Sequence, residues 1–229
     1  MLKVKNITVR YEQPVLEEVS FSVSPGERLG LIGSNGAGKS TLLLALIGVA
    51  SLSAGSITVD SIPVEKKYFR EIRRKAGMVF QNPEDQLFMP TVADDVGFGL
   101  RNYGFDETAV DERVDAILSR LGISRLKSRM ARKLSGGEKR LAALAGTLAL
   151  EPSLLLLDEP SSFLDPRSRR TLIGVLADLP QAMIIATHDF ELALDLCPRT
   201  LLLKDGRIFA EGVTETLLRD QLLLAACGL

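Results

Sequence analysis

At 229 residues, with 46% hydrophobic and 25% charged positions, the chain is long enough to bury a substantial core and has the balance of an ordinary soluble globular protein. A net charge of -1 gives no overall attraction for nucleic acid or anionic lipid, so any polyanion it binds must be held at a local site. Two cysteines without metal-like spacing argue against a zinc or disulfide framework and for reduced thiols in a cytosolic protein, and the apolar runs fall far short of the roughly 20 residues that cross a bilayer.

Residues 2–10 alternate imperfectly, with Leu2, Val4, Asn6, Thr8 and Arg10 set against Lys3, Lys5, Ile7 and Val9. Residues 18–24 repeat a short strand-like pattern before Pro25-Gly26, and together these predict antiparallel strands. The apolar run Arg28-Leu29-Gly30-Leu31-Ile32 then leads into Gly33-Ser34-Asn35-Gly36-Ala37-Gly38-Lys39-Ser40-Thr41, followed by the helix-forming Leu42 to Leu46. Strand, glycine-rich turn and helix in that order make a phosphate cradle. Gly33 and Gly38 let successive backbone N–H groups converge on an anion, and the helix starting near Lys39 adds its positive dipole end. Lys39 would reach the outer phosphates, and the Ser40 hydroxyl would ligate a magnesium ion bridging two of them. The plainer alternative is a glycine turn that only joins a strand to a helix.

A short strand over 56–59 follows, and then the run Gly77-Met78-Val79-Phe80-Gln81, stopped at Asn82-Pro83 because a residue before proline is pushed away from helical geometry. From about Asn82 to Lys133 the character changes. Val110, Val114, Ile117, Leu118 and Leu121 recur at helical spacing, which predicts a mostly helical lobe. Ser135-Gly136-Gly137-Glu138 opens an alanine- and leucine-rich helix ended by Pro152. Ser135 and Glu138 read as a capping box, but a cap does not require two glycines. Gly136 and Gly137 bare the helix start so that a phosphate can approach its amides, which suggests a partner subunit closing on a nucleotide from the far side.

Residues 153–157 and 182–187 read as buried strands of a parallel sheet, separated by a helix over 166–179. A short helix over 190–196, a strand pair around Asp205-Gly206 and one terminal helix complete the chain. Strands alternating with helices predict an α/β fold with a mainly parallel sheet. Three strands end in polar groups: the glycine loop, Asp158-Glu159-Pro160, and Thr187-His188-Asp189. Ligands of such sheets sit beyond the carboxyl ends of the strands, so these groups can converge on one nucleotide. Asp158 would hold magnesium, directly or through water, while Glu159 would orient or deprotonate the attacking water. His188, the only histidine, is a candidate to orient water and γ-phosphate, against the ordinary reading of a lone surface histidine.

Leu134-Ser135-Gly136-Gly137-Glu138, lying between a P-loop and Leu154 to Glu159, resembles the ATP-binding subunit of ABC transporters. The resemblance covers nearly the whole chain, in family order. It implies a P-loop NTPase core with an antiparallel β subdomain (1–81 and 153–229) and a helical signature lobe (82–152) in one ATPase domain. It also implies ATP and Mg2+ as ligands, a second ABC ATPase subunit, identical or not, and transmembrane coupling or permease subunits. The chain would lie peripherally on the cytoplasmic face of the membrane, touching it only through partners, with no nucleic acid bound. Within the resemblance, Tyr11 matches the aromatic that stacks on adenine, Gln81 the glutamine that senses magnesium, and Asp165 a contact across the dimer. Gln81 to Phe88 with Pro90 to Val96 looks most like the energy-coupling-factor branch, which imports transition-metal ions or vitamins, with Gln86 helping to transmit nucleotide state to a membrane helix. Two residues depart from the family pattern: Phe163 stands where a small residue is usual, and Leu141 where an arginine is common. No sustained heptads separate the cradle from Ser135, as a chromosome-maintenance ATPase would need, and no Asn-Lys-x-Asp guanine reader occurs.

Overall fold

Strands that alternate in burial and strands buried on both faces sort into two sheets in the computed structural model, which describes residues 1–229. The elements run β1 (Leu2–Arg10), β2 (Pro14–Val23), β3 (Arg28–Ile32), α1 (Lys39–Leu46), β4 (Ala54–Val59), the two-residue β5 (Ile62–Pro63), α2 (Phe69–Lys75) and β6 (Ala76–Val79). They continue α3 (Val92–Asn102), α4 (Glu107–Arg120), α5 (Gly136–Leu148), β7 (Leu154–Asp158), α6 (Pro166–Ala177), β8 (Ala182–Thr187), α7 (Phe190–Leu196), β9 (Arg199–Lys204), β10 (Arg207–Val213), α8 (Thr214–Arg219) and α9 (Gln221–Cys227).

The smaller sheet is antiparallel, in the order β2-β1-β4-β5. Its alternation is imperfect for a definite reason. Asn6 takes a left-handed φ of 46° and the pairing of β1 slips between Val4 and Ile7, so Leu2, Val4, Ile7 and Val9 all face inward. The sequence pattern had placed Ile7 and Val9 opposite Leu2 and Val4. β2 begins at Pro14, four residues before the predicted strand.

The larger sheet has the order β10-β9-β3-β8-β7-β6. β9, β3, β8 and β7 pair in parallel, and β10 returns antiparallel on β9. Every residue of β7 and β8 is buried, as unalternating strands covered on both faces must be. Each fully buried leucine here contributes about 1.5–3 kcal/mol relative to exposure. β6 ends at Val79, so Gln81 lies beyond the strand. The predicted single terminal helix is two: Asp220 leaves helical geometry (φ -81°, ψ 91°) and its side chain accepts from Leu223 N–H to start α9.

The chain forms two compact units, Met1–Met78 with Ser153–Glu159 and Pro180–Leu229, and Val79–Pro152 with Pro160–Leu179. The first holds both sheets apart from the end of β6. In the second, α3 packs on α4 and α5 around Val96, Leu100, Val110, Val114 and Leu118. The sequence division kept 160–179 with the sheets, whereas here α6 belongs with α5. Gly137 makes room for that packing, since a Cβ there would fall 2.4 Å from Ser168 Oγ.

Candidate functional site

The loop between β3 and α1 is shaped by exclusion. A Cβ at Gly33 would lie 2.4 Å from the Leu203 carbonyl oxygen, and one at Gly38, whose φ is 104°, would lie 2.8 Å from Leu16 Cδ2. Gly36 (φ 82°) has open space where its side chain would be, and Asn35 beside it is exposed. α1 starts at Lys39 with no side-chain cap and no acidic residue in its first turn, so its leading amides are available to an anion. Ala37 is buried, Ser34 and Thr41 are half-buried, and Ser40 is exposed at the helix start.

Lys39 is buried, and its ammonium donates to the carbonyls of Gly33 (2.7 Å) and Ser34 (3.2 Å), 3.9 Å from Glu159 Oε1. A buried cation is thus held in the loop by its own backbone and one carboxylate. Glu159 arrives there because β7 and β8 are in register, Asp158 opposite Ala186, so the residue after β7 meets the end of β8. Its N–H donates to the Ala186 carbonyl (2.8 Å), and its backbone is left-handed (φ 45°), a conformation that costs of order 1 kcal/mol for a glutamate. Glu159 Oε2 lies 2.9 Å from His188 Nδ1 and accepts from Thr187 Oγ1 (3.3 Å) and His188 N–H (3.4 Å). Thr187, which the sequence reading did not single out, also accepts from Asp189 N–H (3.0 Å) at the start of α7.

Lys39, Glu159 and His188 therefore meet, and Asp158 closes β7 as a buried carboxylate beside Glu159. Asp158 and Ser40 offer oxygen donors, which fit a hard cation such as Mg2+ that takes its other ligands from phosphate and water. Tyr11 sits in the turn between β1 and β2, 64% exposed, so its ring face is open to stacking.

The remaining predicted residues belong to the second unit. Ser135 caps α5 in a full capping box, so the plainer reading of Ser135 and Glu138 holds whatever else the turn does, while Ser135 and Gly136 stay exposed and Gly137 is half-buried. Gln81 is exposed, and its carbonyl accepts from Arg140 Nη2 (2.7 Å) while the Phe80 carbonyl accepts from Arg140 Nη1 (2.6 Å). Leu141, where an arginine is common, follows Arg140, which is 2% exposed and makes these polar contacts to the Phe80–Gln81 segment. Gln86 Nε2 donates to the Ala143 carbonyl and Thr147 Oγ1, each at 2.9 Å, tying this segment to α5. Asp165, expected at a dimer contact, spends both oxygens on α6, accepting from Arg167 N–H, Ser168 N–H and Ser168 Oγ. The Ser168 hydroxyl chiefly holds the Asp165 carboxyl below the usual carboxylate range. Phe163 keeps a left-handed φ of 63° and is 93% exposed. A groove of about 450 Å³ runs along Leu87, Phe88, Met89 and Pro90 on one side and Met130 to Arg132 on the other.

A family model described as ABC transporter matches residues 16–162. A protein of Streptomyces avermitilis, provisionally named as an ABC transporter ATP-binding protein, is 49% identical over 91% of this chain and 79% of its own. The energy-coupling factor transporter ATP-binding protein EcfA of Methanothermobacter thermautotrophicus is 39% identical over 100% of this chain and 76% of its own. Among solved structures, cbiO1 from Clostridium perfringens, part of the ABC transporter complex cbiONQ, superposes with a TM-score of 0.87 at 33% identity, covering 98% of this chain and 93% of that one. A dimeric ATP-binding cassette in a post-hydrolysis state with ADP and Pi superposes with a TM-score of 0.84 at 26% identity, covering 93% of this chain and 99% of that one.

Proposed function

Because the chain belongs to the ABC transporter ATP-binding family and is an ATPase subunit, we propose that it closes head-to-tail on ATP with a second ABC ATPase subunit, another copy in the homodimeric case, and drives a membrane importer of the energy-coupling-factor type. The observation that carries this reading is the buried Glu159 carboxylate held between Lys39 and the His188–Thr187 pair at the ends of parallel strands.

The amides of residues 33–41 bind the triphosphate, and Lys39 turns from the Gly33 and Ser34 carbonyls toward its outer oxygens. Glu159 orients water for in-line attack on the γ-phosphate and accepts its proton, with Thr187 and His188 fixing the carboxylate. His188 also orients the water and phosphate. Ser40, Asp158 and Gln81 would hold Mg2+, which would neutralise charge developing on the phosphates. Tyr11 stacks on adenine. Ser135, Gly136 and Gly137 of the other copy complete the phosphate site, which explains why a capped helix start is left exposed.

The two compact units act as one ATPase domain over 1–229 in this reading. No helix is long and apolar enough to cross a membrane. The chain sits peripherally on the cytoplasmic face and reaches the bilayer through permease subunits, one of whose helices takes the apolar groove at Phe88 and Met130. A transition-metal ion or a vitamin is the cargo class, chosen by those partners. The test is Glu159→Gln, which should lower ATP turnover about a thousandfold while ATP still binds and dimers accumulate. Turnover at the parental rate would end the assignment. Co-purification from membranes should bring transmembrane companions, and purely soluble companions would count against transport.

A further inference from the structure

The signature turn carries a carboxylate where a capping box needs only an acceptor, and that charge has a dedicated partner. Glu138 Oε2 accepts from Ser135 N–H (3.0 Å) and Ser135 Oγ (3.2 Å), while Glu138 N–H donates to Ser135 Oγ (3.3 Å). A glutamine oxygen would serve the same cap. Glu138 Oε1, the other oxygen, takes Arg125 Nη1 at 2.7 Å. Arg125 comes from a separate short turn, Ser124–Leu126, with most of its side chain in solvent, whereas the Glu138 side chain is only 17% exposed. Both interactions keep the Glu138 carboxyl below the usual carboxylate range, the Ser135 backbone N–H first and Arg125 after it.

On the reading above, this helix start must face the triphosphate of another copy. A bare carboxylate three residues into it would repel that phosphate. We infer that Arg125 is a positioning residue for the composite nucleotide site, cancelling the charge of Glu138 and fixing its carboxylate so that the Ser135 turn tolerates an incoming polyphosphate. The inference rests on the head-to-tail reading, but it concerns charge coupling between two side chains rather than the existence of the dimer.

The experiment uses the full chain in the Glu159→Gln background, with ATP and Mg2+, and measures the dimer dissociation constant by sedimentation at low and high salt. Arg125→Met should weaken the dimer about fivefold at low salt, and the deficit should shrink at high salt. Adding Glu138→Gln should restore the dimer to within about twofold of the parent, because the neutral amide keeps the cap and no longer needs a counter-charge. A purely structural arginine would give a deficit that salt leaves alone and that persists in the double variant. Either result, or parental dimerisation by Arg125→Met, overturns the inference. Ser135→Arg separates the two levels: if that variant still forms the ATP-dependent dimer, the composite-site reading itself is wrong.

Discussion

The two glycine-flanked helix starts of this protein are finished in opposite ways. α1 begins after Gly38 with no side-chain cap and no acid in its first turn, whereas α5 begins with a reciprocal Ser135–Glu138 box. The first leaves its leading amides for a ligand and is held in shape by glycines that backbone and side-chain neighbours would not let grow. The second is satisfied without any ligand and exposes its serine and glycine at the surface. In the proposed head-to-tail dimer, the start that grips the anion by itself would be the open one, and the start that meets the anion on closure would be the one kept stable until then.

Substitutions can break this contrast in order of expected size. Lys39→Ala should weaken ATP binding about a hundredfold, measured by equilibrium titration, because it removes the buried cation of the open site. Unchanged affinity would mean that α1 does not hold the phosphates. Arg140→Met should cost about 2–3 kcal/mol in denaturant unfolding, since the Phe80 and Gln81 carbonyls lose their buried donor. Ser135→Ala should cost about 1 kcal/mol of stability in the nucleotide-free protein, a loss that no cap removal could produce at α1.

The smallest effect concerns the third kind of start, α6, capped by the exposed Asp165. Its carboxyl is held low in the folded state, so the cap's stabilisation is present above the unfolded carboxylate range and fades as pH falls through the folded value. Asp165→Asn should show a weaker acid dependence of the denaturant midpoint than the parent, and identical curves would remove the cap from the account.

What the sequence made readable was whatever a few adjacent residues decide. The strand, glycine turn and helix over 28–46, the box at Ser135 and Glu138, and the unalternating strands expected over 153–157 and 182–187 are local patterns; the turn, the box and the second strand lie where expected, and the first strand lies one residue later, at Leu154–Asp158. Local reading failed where pairing register decides. The bulge at Asn6 turns Ile7 and Val9 to the same face as Leu2 and Val4, which alternation alone cannot signal. Thr187 joins Glu159 only because β7 and β8 align, and Arg140 reaches back some sixty residues to Phe80 and Gln81. A buried arginine within an alanine- and leucine-rich helix was the available signal for the second of these.

The sharing of each triphosphate between two copies is tested most directly by counting occluded nucleotide in mixed dimers, all in the Glu159→Gln background. Lys39→Ala alone and Ser135→Arg alone should each occlude no ATP. Mixed, they should occlude one per dimer, because one intact cradle then faces one intact signature turn. A mixture that stays empty, or a Ser135→Arg dimer that keeps two nucleotides, would contradict a site built from both chains.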